Sequence, residues 1–204
     1  MSDFDKKAKE WDNDPEKLSR AKKVAEGILD VIDIDSSMTA FEYGCGTGLL
    51  SFQLKNYFKK IVLADISQGM LNVLNDKIEQ REIENMESRY IDLTEDSIPE
   101  EKFNIIYTLM TLHHINDLDI VFNKFFNMLK ENGYICIADL VKEDGSFHGD
   151  NFDGHNGFEK EELEELLEKF GFNTLSYKVV FERKKMVGDK EKTYPIFLLI
   201  VQKS

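Results

Sequence analysis

Phe41-Glu42-Tyr43-Gly44-Cys45-Gly46-Thr47-Gly48 is the stretch that decides how this chain folds. Residues 38–43 read as a short apolar strand and residues 49–58 as a helix, so the three glycines fill a strand-to-helix turn. Glycine permits a tight turn there and lets a ligand approach the backbone where a Cβ would stand in the way. In an open α/β sheet such a turn sits at the carboxyl end of a strand, where ligands bind near the switch in strand order. The spacing is not the dinucleotide pattern G-x-G-x-x-G, because Leu49 stands where the third glycine belongs. Leu49 and Leu50 also follow the last glycine in place of the lysine that a phosphate-cradling P-loop needs.

Working outward, Asn13-Asp14-Pro15 opens a first helix, with Asp14 as N-cap and Pro15 at the first helical position. Leu18, Ala21, Ala25, Ile28 and Ile32 follow at helical spacing and predict one buried face. Beyond the glycine turn, residues 61–65 read as a second strand, and Ser67 caps a helix carrying Met70, Leu71, Leu74 and Ile78. Further strands are expected over 88–91, 103–107 and 134–140. The helix before the last of these carries Ile120, Val121, Phe125, Met128 and Leu129, and Gly133 is its expected left-handed stop. A final helix bears Leu163, Leu166, Leu167 and Phe170. Residues 173–182 and 194–202 are strand-like, separated by a polar loop with no helix, so they must pair antiparallel. The alternation predicts one α/β domain over 1–204, a mainly parallel sheet with helices on both faces and a C-terminal antiparallel hairpin.

Composition narrows the function classes. With 42% hydrophobic and 32% charged residues the chain is globular, and no apolar run approaches the roughly 18 residues of a membrane span. Met1-Ser2-Asp3-Phe4-Asp5 lacks the features of a signal peptide, and Cys45 and Cys136 do not suggest a disulfide framework, so a cytoplasmic setting is expected. The net charge of −13 argues against a nucleic-acid partner and for a small-molecule acceptor. The one basic cluster, Arg183-Lys184-Lys185 with Lys190 and Lys192, reads as a solvated hairpin tip. Oligomeric state is left open.

Asp65, at the end of the second strand and about 20 residues past the glycine turn, is placed to accept hydrogen bonds from the two hydroxyls of a ribose. With that acid in place, the chain resembles the class I, Rossmann-like S-adenosylmethionine-dependent methyltransferases. The residues 42–48 match the family's first motif, Asp65 its ribose-binding acid, and Asp92 the position near the adenine amino group. Residues 103–114 resemble the fourth-strand motif, and Leu129-Lys130-Glu131-Asn132-Gly133-Tyr134 the turn into the fifth strand. The opening Phe4-Asp5…Glu10-Trp11-Asp12 looks like that of the small quinone-biosynthesis-like branch, from which Asn104 departs where Asp is usual.

The resemblance implies a seven-stranded sheet with its last strand antiparallel, S-adenosylmethionine as cofactor, S-adenosylhomocysteine as product, and in-line methyl transfer to an acceptor. It implies a cofactor site of Glu42, Tyr43, Gly44, Gly46, Gly48, Asp65, Ile66, Met70, Asp92, Leu93, Thr108 and Leu109. Glu42 would hold the ligand's amino group or, alternatively, cap the loop's own amides. Asp92 would otherwise be part of a plain acidic loop.

His113, His114 and Asp139 are candidates for a catalytic base, and either histidine could instead pack against the ligand. An N-terminal segment, 1–14, with Trp11, and a glycine-rich loop, 145–158, with Phe147, Phe152, His155 and Phe158, are expected to close over the acceptor. Residues 148–156 also hold two histidines and two acids, but no CxxC or HExxH spacing supports a metal, so none is expected there. A base-amino nucleic-acid methyltransferase would carry an Asn/Asp-Pro-Pro-aromatic run where Thr108-Leu109-Met110-Thr111 stands. A cofactor-binding protein without catalysis, and a methyltransferase acting on a protein or nucleic acid, remain open alternatives.

Overall fold

Alternation along β1 (Thr39–Tyr43) sets the two faces of the sheet. Phe41 and Tyr43 enter one core with Val62, Ile106, Phe122 and Phe125, while Ala40 enters the other with Ile61, Leu63, Tyr107 and Ile28. The computed structural model describes residues 3–149 and 152–204; Met1, Ser2, Asp150 and Asn151 lie outside the described residues. The chain then follows α1 (Asp3–Lys7), a 3-10 helix (Ala8–Asn13) and α2 (Pro15–Leu29) into β1. Beyond β1 come α3 (Leu49–Leu54), β2 (Lys60–Asp65), α4 (Gln68–Gln80), β3 (Met86–Tyr90) and β4 (Phe103–Leu109). A 3-10 turn (Leu112–His114) leads to α5 (Leu118–Met128), β5 (Leu129–Leu140), α6 (Lys160–Lys169), β6 (Phe172–Val187) and β7 (Lys190–Lys203).

Among the described residues the strands form one seven-stranded sheet in the order β3-β2-β1-β4-β5-β7-β6. β1 to β5 run parallel, and β7 is antiparallel to both β5 and β6. The order reverses between β1 and β4, so the carboxyl ends of these strands frame a cleft. Local signals behave as read. Asp14 accepts from Glu16 N (2.9 Å) and Ser67 Oγ from Met70 N (3.2 Å) at the two helix starts.

Four details differ from the sequence reading. Leu18 is 47% exposed, because the buried face of α2 is Ala21, Val24, Ala25, Gly27 and Ile28. α5 stops at Met128 and Leu129 already pairs with Phe103. The left-handed residue there is Asn132 (φ 58°), whereas a Cβ on Gly133 would sit 2.9 Å from the Lys130 carbonyl and 3.0 Å from that of Asn104. Close approach of backbones, rather than a helix stop, requires this glycine. The expected polar loop between the last strands is itself strand, and the hairpin closes over Gly188 and Asp189 with Val187 opposite Lys190. Asn104 lies at the far end of the sheet, its Oδ1 accepting from Thr39 N (3.0 Å) and Lys130 Nζ (2.9 Å).

Candidate active site

The glycine turn is a cradle. Gly44, Gly46 and Gly48 all have left-handed φ (69°, 52° and 82°), which side chains rarely adopt. Cβ atoms on Gly44 and Gly48 would strike Thr111 (2.2 Å) and Leu74 (2.7 Å). On Gly46 a Cβ would meet only Trp11 Nε1, at 3.9 Å, so the indole covers the turn at contact distance. Thr111 Oγ1 donates to the Gly44 (3.3 Å) and Leu109 (3.2 Å) carbonyls, tying the end of β4 to the turn.

Asp65 holds this turn directly. Its carboxylate accepts from Gly46 N (2.7 Å) and Ser67 N (2.8 Å), and burial raises its pKa against the opposing pull of those amides. Glu42 is 2% exposed beneath the turn. It accepts from Ser51 Oγ, which also meets the Tyr107 hydroxyl at 2.7 Å. Burial pushes the Glu42 carboxyl up to about 8. Tyr43 turns away from the cleft, its ring 5.9 Å from that of Phe125 in the core, and burial raises its pKa. Ile66 is 56% exposed beside Asp65, whereas Met70, Leu93 and Thr108 are buried. Asp92 accepts from Thr94 N (2.9 Å) and Oγ1 (2.6 Å), so it shapes its own turn. The thiols of Cys45 and Cys136 are buried and free, and burial raises both pKa values.

The other half of the cleft is aromatic and imidazole. His113 and Asp139 are both buried. His113 Nδ1 lies 2.6 Å from Asp139 Oδ1, and Asp139 also accepts from the backbone N–H of His113 (3.3 Å) and Leu140 (2.8 Å). Asp139 therefore orients His113 and does not itself face an acceptor, contrary to the sequence expectation. His114 is exposed and packs edge-on to Phe4 (5.4 Å) and Phe152 (5.3 Å). His148 stacks on Phe152 at 3.9 Å. Partial burial of the rings, with His113 and His148 beside His114 and with His113 and Lys185 beside His148, brings both down to about 4.

Within the second expected lid segment, side chains of the first part meet the imidazole cluster, while His155 meets it through the backbone of His113. Phe147 lies 4.8 Å from His148 and 5.1 Å from Tyr194. His155 is a brace, its Nε2 2.8 Å from the Ile115 carbonyl and its N–H donating to His113 O (2.7 Å). Phe158 is 7% exposed in the core against Phe197 and pairs with Val141. His155 is thus tied to the turn after β4, and Phe158 to the end of β5 by β-type pairing.

With this geometry in view, comparison with known proteins is decisive for the family. Residues 34–198 match the family described as methyltransferase domain. The chain belongs to the class I S-adenosylmethionine-dependent methyltransferases. An uncharacterized methyltransferase of Schizosaccharomyces pombe is 36% identical over 121 residues, 56% of this chain and 43% of that protein. A phosphoethanolamine N-methyltransferase of Triticum aestivum is 29% identical over 119 residues, covering 58% of this chain and 23% of that protein. The matches thus span less than half the length of these curated relatives. An S-adenosylmethionine-dependent methyltransferase of Aquifex aeolicus shares the fold, with TM-score 0.70, 20% identity and 98% of each chain covered.

Several contacts around the candidate site were missed by sequence reasoning. Thr47 Oγ1 donates to Asp12, whose other oxygen pairs with Lys77 Nζ at 2.6 Å, and Lys77 also reaches the Thr47 carbonyl (2.8 Å). Asp5 accepts from Ser67 Oγ (2.6 Å) and Gly69 N (2.9 Å), docking α1 on the start of α4. Phe4 and Trp11, apolar residues in a polar stretch, were the signal that this segment covers something. Arg20 carried no signal, yet its Nε is buried without a partner among the described residues.

Proposed function

We propose that this methyltransferase transfers the methyl group of S-adenosylmethionine to a small-molecule acceptor by in-line displacement. The observation that carries the reading is the left-handed glycine turn at the carboxyl end of β1, held by the Asp65 carboxylate and covered by the Trp11 indole. Movement of the indole would open that turn to a ligand. S-adenosylmethionine, when bound, supplies an already electrophilic sulfonium methyl. The chain's own work is then to hold, align and keep dry, and alignment alone contributes roughly 7–11 kcal/mol to such a step. Gly44, Gly46 and Asp65 hold the cofactor, with Ile66 offering an apolar contact. Phe4, Trp11 and Phe152 exclude water. His113, fixed by Asp139, takes a proton from an acceptor that must lose one.

A small acceptor is favoured by the net charge of −13 and by relatives named as phosphoethanolamine N-methyltransferase and malonyl-[acyl-carrier protein] O-methyltransferase. The quinone-biosynthesis-like branch is supported by the N-terminal Phe4-Asp5…Trp11-Asp12 alone. The test is transfer of labelled methyl from S-adenosylmethionine to a panel of amines, phenols and carboxylates, with RNA and protein as further arms. Turnover on a small acceptor is expected. Cofactor binding without turnover on any arm would leave a binding protein, and turnover only on RNA or protein would overturn the acceptor class.

A further inference from the structure

The geometry points to a metal site formed by His113, His114 and His148, binding a divalent first-row ion of the zinc type. One imidazole nitrogen from each of the three lies within 4.8 Å of the others. Around zinc, ligand nitrogens at 2.0–2.1 Å in tetrahedral array are about 3.3 Å apart. Closing the cluster needs movements of roughly 1.5 Å or less, within reach of histidine side-chain rotation.

Three further observations point to a ligand. Asp139 sits on Nδ1 of His113 (2.6 Å), which fixes the proton there and presents Nε2 as the lone pair. A carboxylate behind a histidine is the usual outer support of a metal-binding imidazole. Nε2 of His148 is buried and no described residue bonds it, although the ring itself is stacked on Phe152. A buried, unpaired nitrogen is costly, and an ion at the cluster centre would satisfy it. Finally, the Phe4, Phe147 and Phe152 rings pack against the two more exposed imidazoles and set their orientation.

Three neutral imidazoles suit zinc, iron or copper and disfavour magnesium and calcium, which take oxygen ligands. Three histidines leave a fourth position open. If the methyl-transfer reading holds, that position would take an acceptor oxygen or sulfur and acidify it, and in the metal-loaded protein the ion would replace His113 as the group that eases loss of the acceptor's proton. The metal site itself does not depend on that reading.

The experiment uses the metal-stripped full chain. It is titrated with Zn²⁺ by calorimetry and with Co²⁺ by visible absorption, alongside S-adenosylhomocysteine binding as a measure of an intact cofactor half. One equivalent of metal and the visible bands of nitrogen-ligated tetrahedral cobalt are expected. Both should be lost in His114→Ala and His148→Ala while S-adenosylhomocysteine still binds, and Asp139→Asn should weaken metal by roughly 10- to 100-fold. No stoichiometric binding by the wild type, or equal binding by both alanine variants, would overturn the site. Loss of S-adenosylhomocysteine binding by the wild type would count against the proposed function alone.

Discussion

Glu42 is a carboxyl group kept under the glycine turn, accepting hydrogen bonds from Ser51, and its chemistry follows from burial. Its folded pKa of about 8 lies above the ordinary glutamate value of 4.5. Below 4.5 both folded and unfolded chains hold the proton. As pH rises from there the unfolded chain releases it first, so stability falls until the folded group also ionises near 8. Urea unfolding of wild type and Glu42→Gln should therefore agree closely at pH 5, with the variant more stable at pH 9 by on the order of 3 kcal/mol. A pH-independent difference would remove the buried neutral acid. Asp65 has the opposite task, taking two backbone amides with its carboxylate. Asp65→Ala should weaken S-adenosylhomocysteine by roughly ten- to a hundredfold and, because those amides lose their acceptor, lower stability by about 1–2 kcal/mol. Unchanged affinity by calorimetry would displace the ribose from this acid. The glycines and Asp65 were legible because each is a local requirement at fixed spacing. Glu42's partners were not, since Ser51 and Tyr107 lie on α3 and β4 and meet it only after the sheet forms.

The N-terminal segment is an element whose sequence shows little periodicity, yet it is anchored at both ends of its path over the cofactor half. Asp5 docks on the start of α4, and Asp12 bridges Thr47 and Lys77. Phe4 and Trp11, 5.9 Å apart, lie between these anchors and reach His114 and Gly46. We expect this strap to open for exchange and close on binding, as lids built on polar anchors do. Hydrogen exchange over residues 3–13 should slow when S-adenosylhomocysteine binds. Asp12→Ala should speed exchange in the free protein and lower turnover severalfold without unfolding it. Equal exchange with and without ligand would make the segment a fixed part of the wall. The loop after β5 was legible as long and glycine-rich, but which of its residues stay near the cleft was not. His148 is far from His113 in sequence and meets it only because β4 and β5 are neighbours, while Phe158 is drawn into the core by the bridge to Val141.

At the scale of the molecule, strand order and charge decide what can bind. Three members of the basic cluster of the last hairpin have acidic partners: Arg183 pairs with Asp14 and Glu16, Lys184 with Glu191 (3.5 Å), and Lys192 with Asp144 (2.7 Å), while Lys185 reaches the Phe147 carbonyl (2.6 Å). Those ion pairs lower the positive charge that this face could offer a phosphate backbone, in keeping with the acidic net charge. The cleft at the β1/β4 reversal selects among nucleotide cofactors by the shape of its turn. Gly48 caps α3 in a left-handed conformation, and Leu49 begins that helix packed against the core where a dinucleotide fold would need a third glycine. NAD should therefore fail to find its pyrophosphate seat, whereas S-adenosylmethionine and S-adenosylhomocysteine carry no pyrophosphate to place. A ligand at 100 times its dissociation constant stabilises the folded state by about 2.7 kcal/mol. For a chain of this length that corresponds to a rise in melting temperature of roughly 5–10 °C. Thermal unfolding with each of the three ligands at saturating concentration should show that rise with the two sulfur ligands and none with NAD. A rise with NAD alone would mean that the turn accepts a pyrophosphate after all, and the cofactor side of the cleft would have to be reassigned.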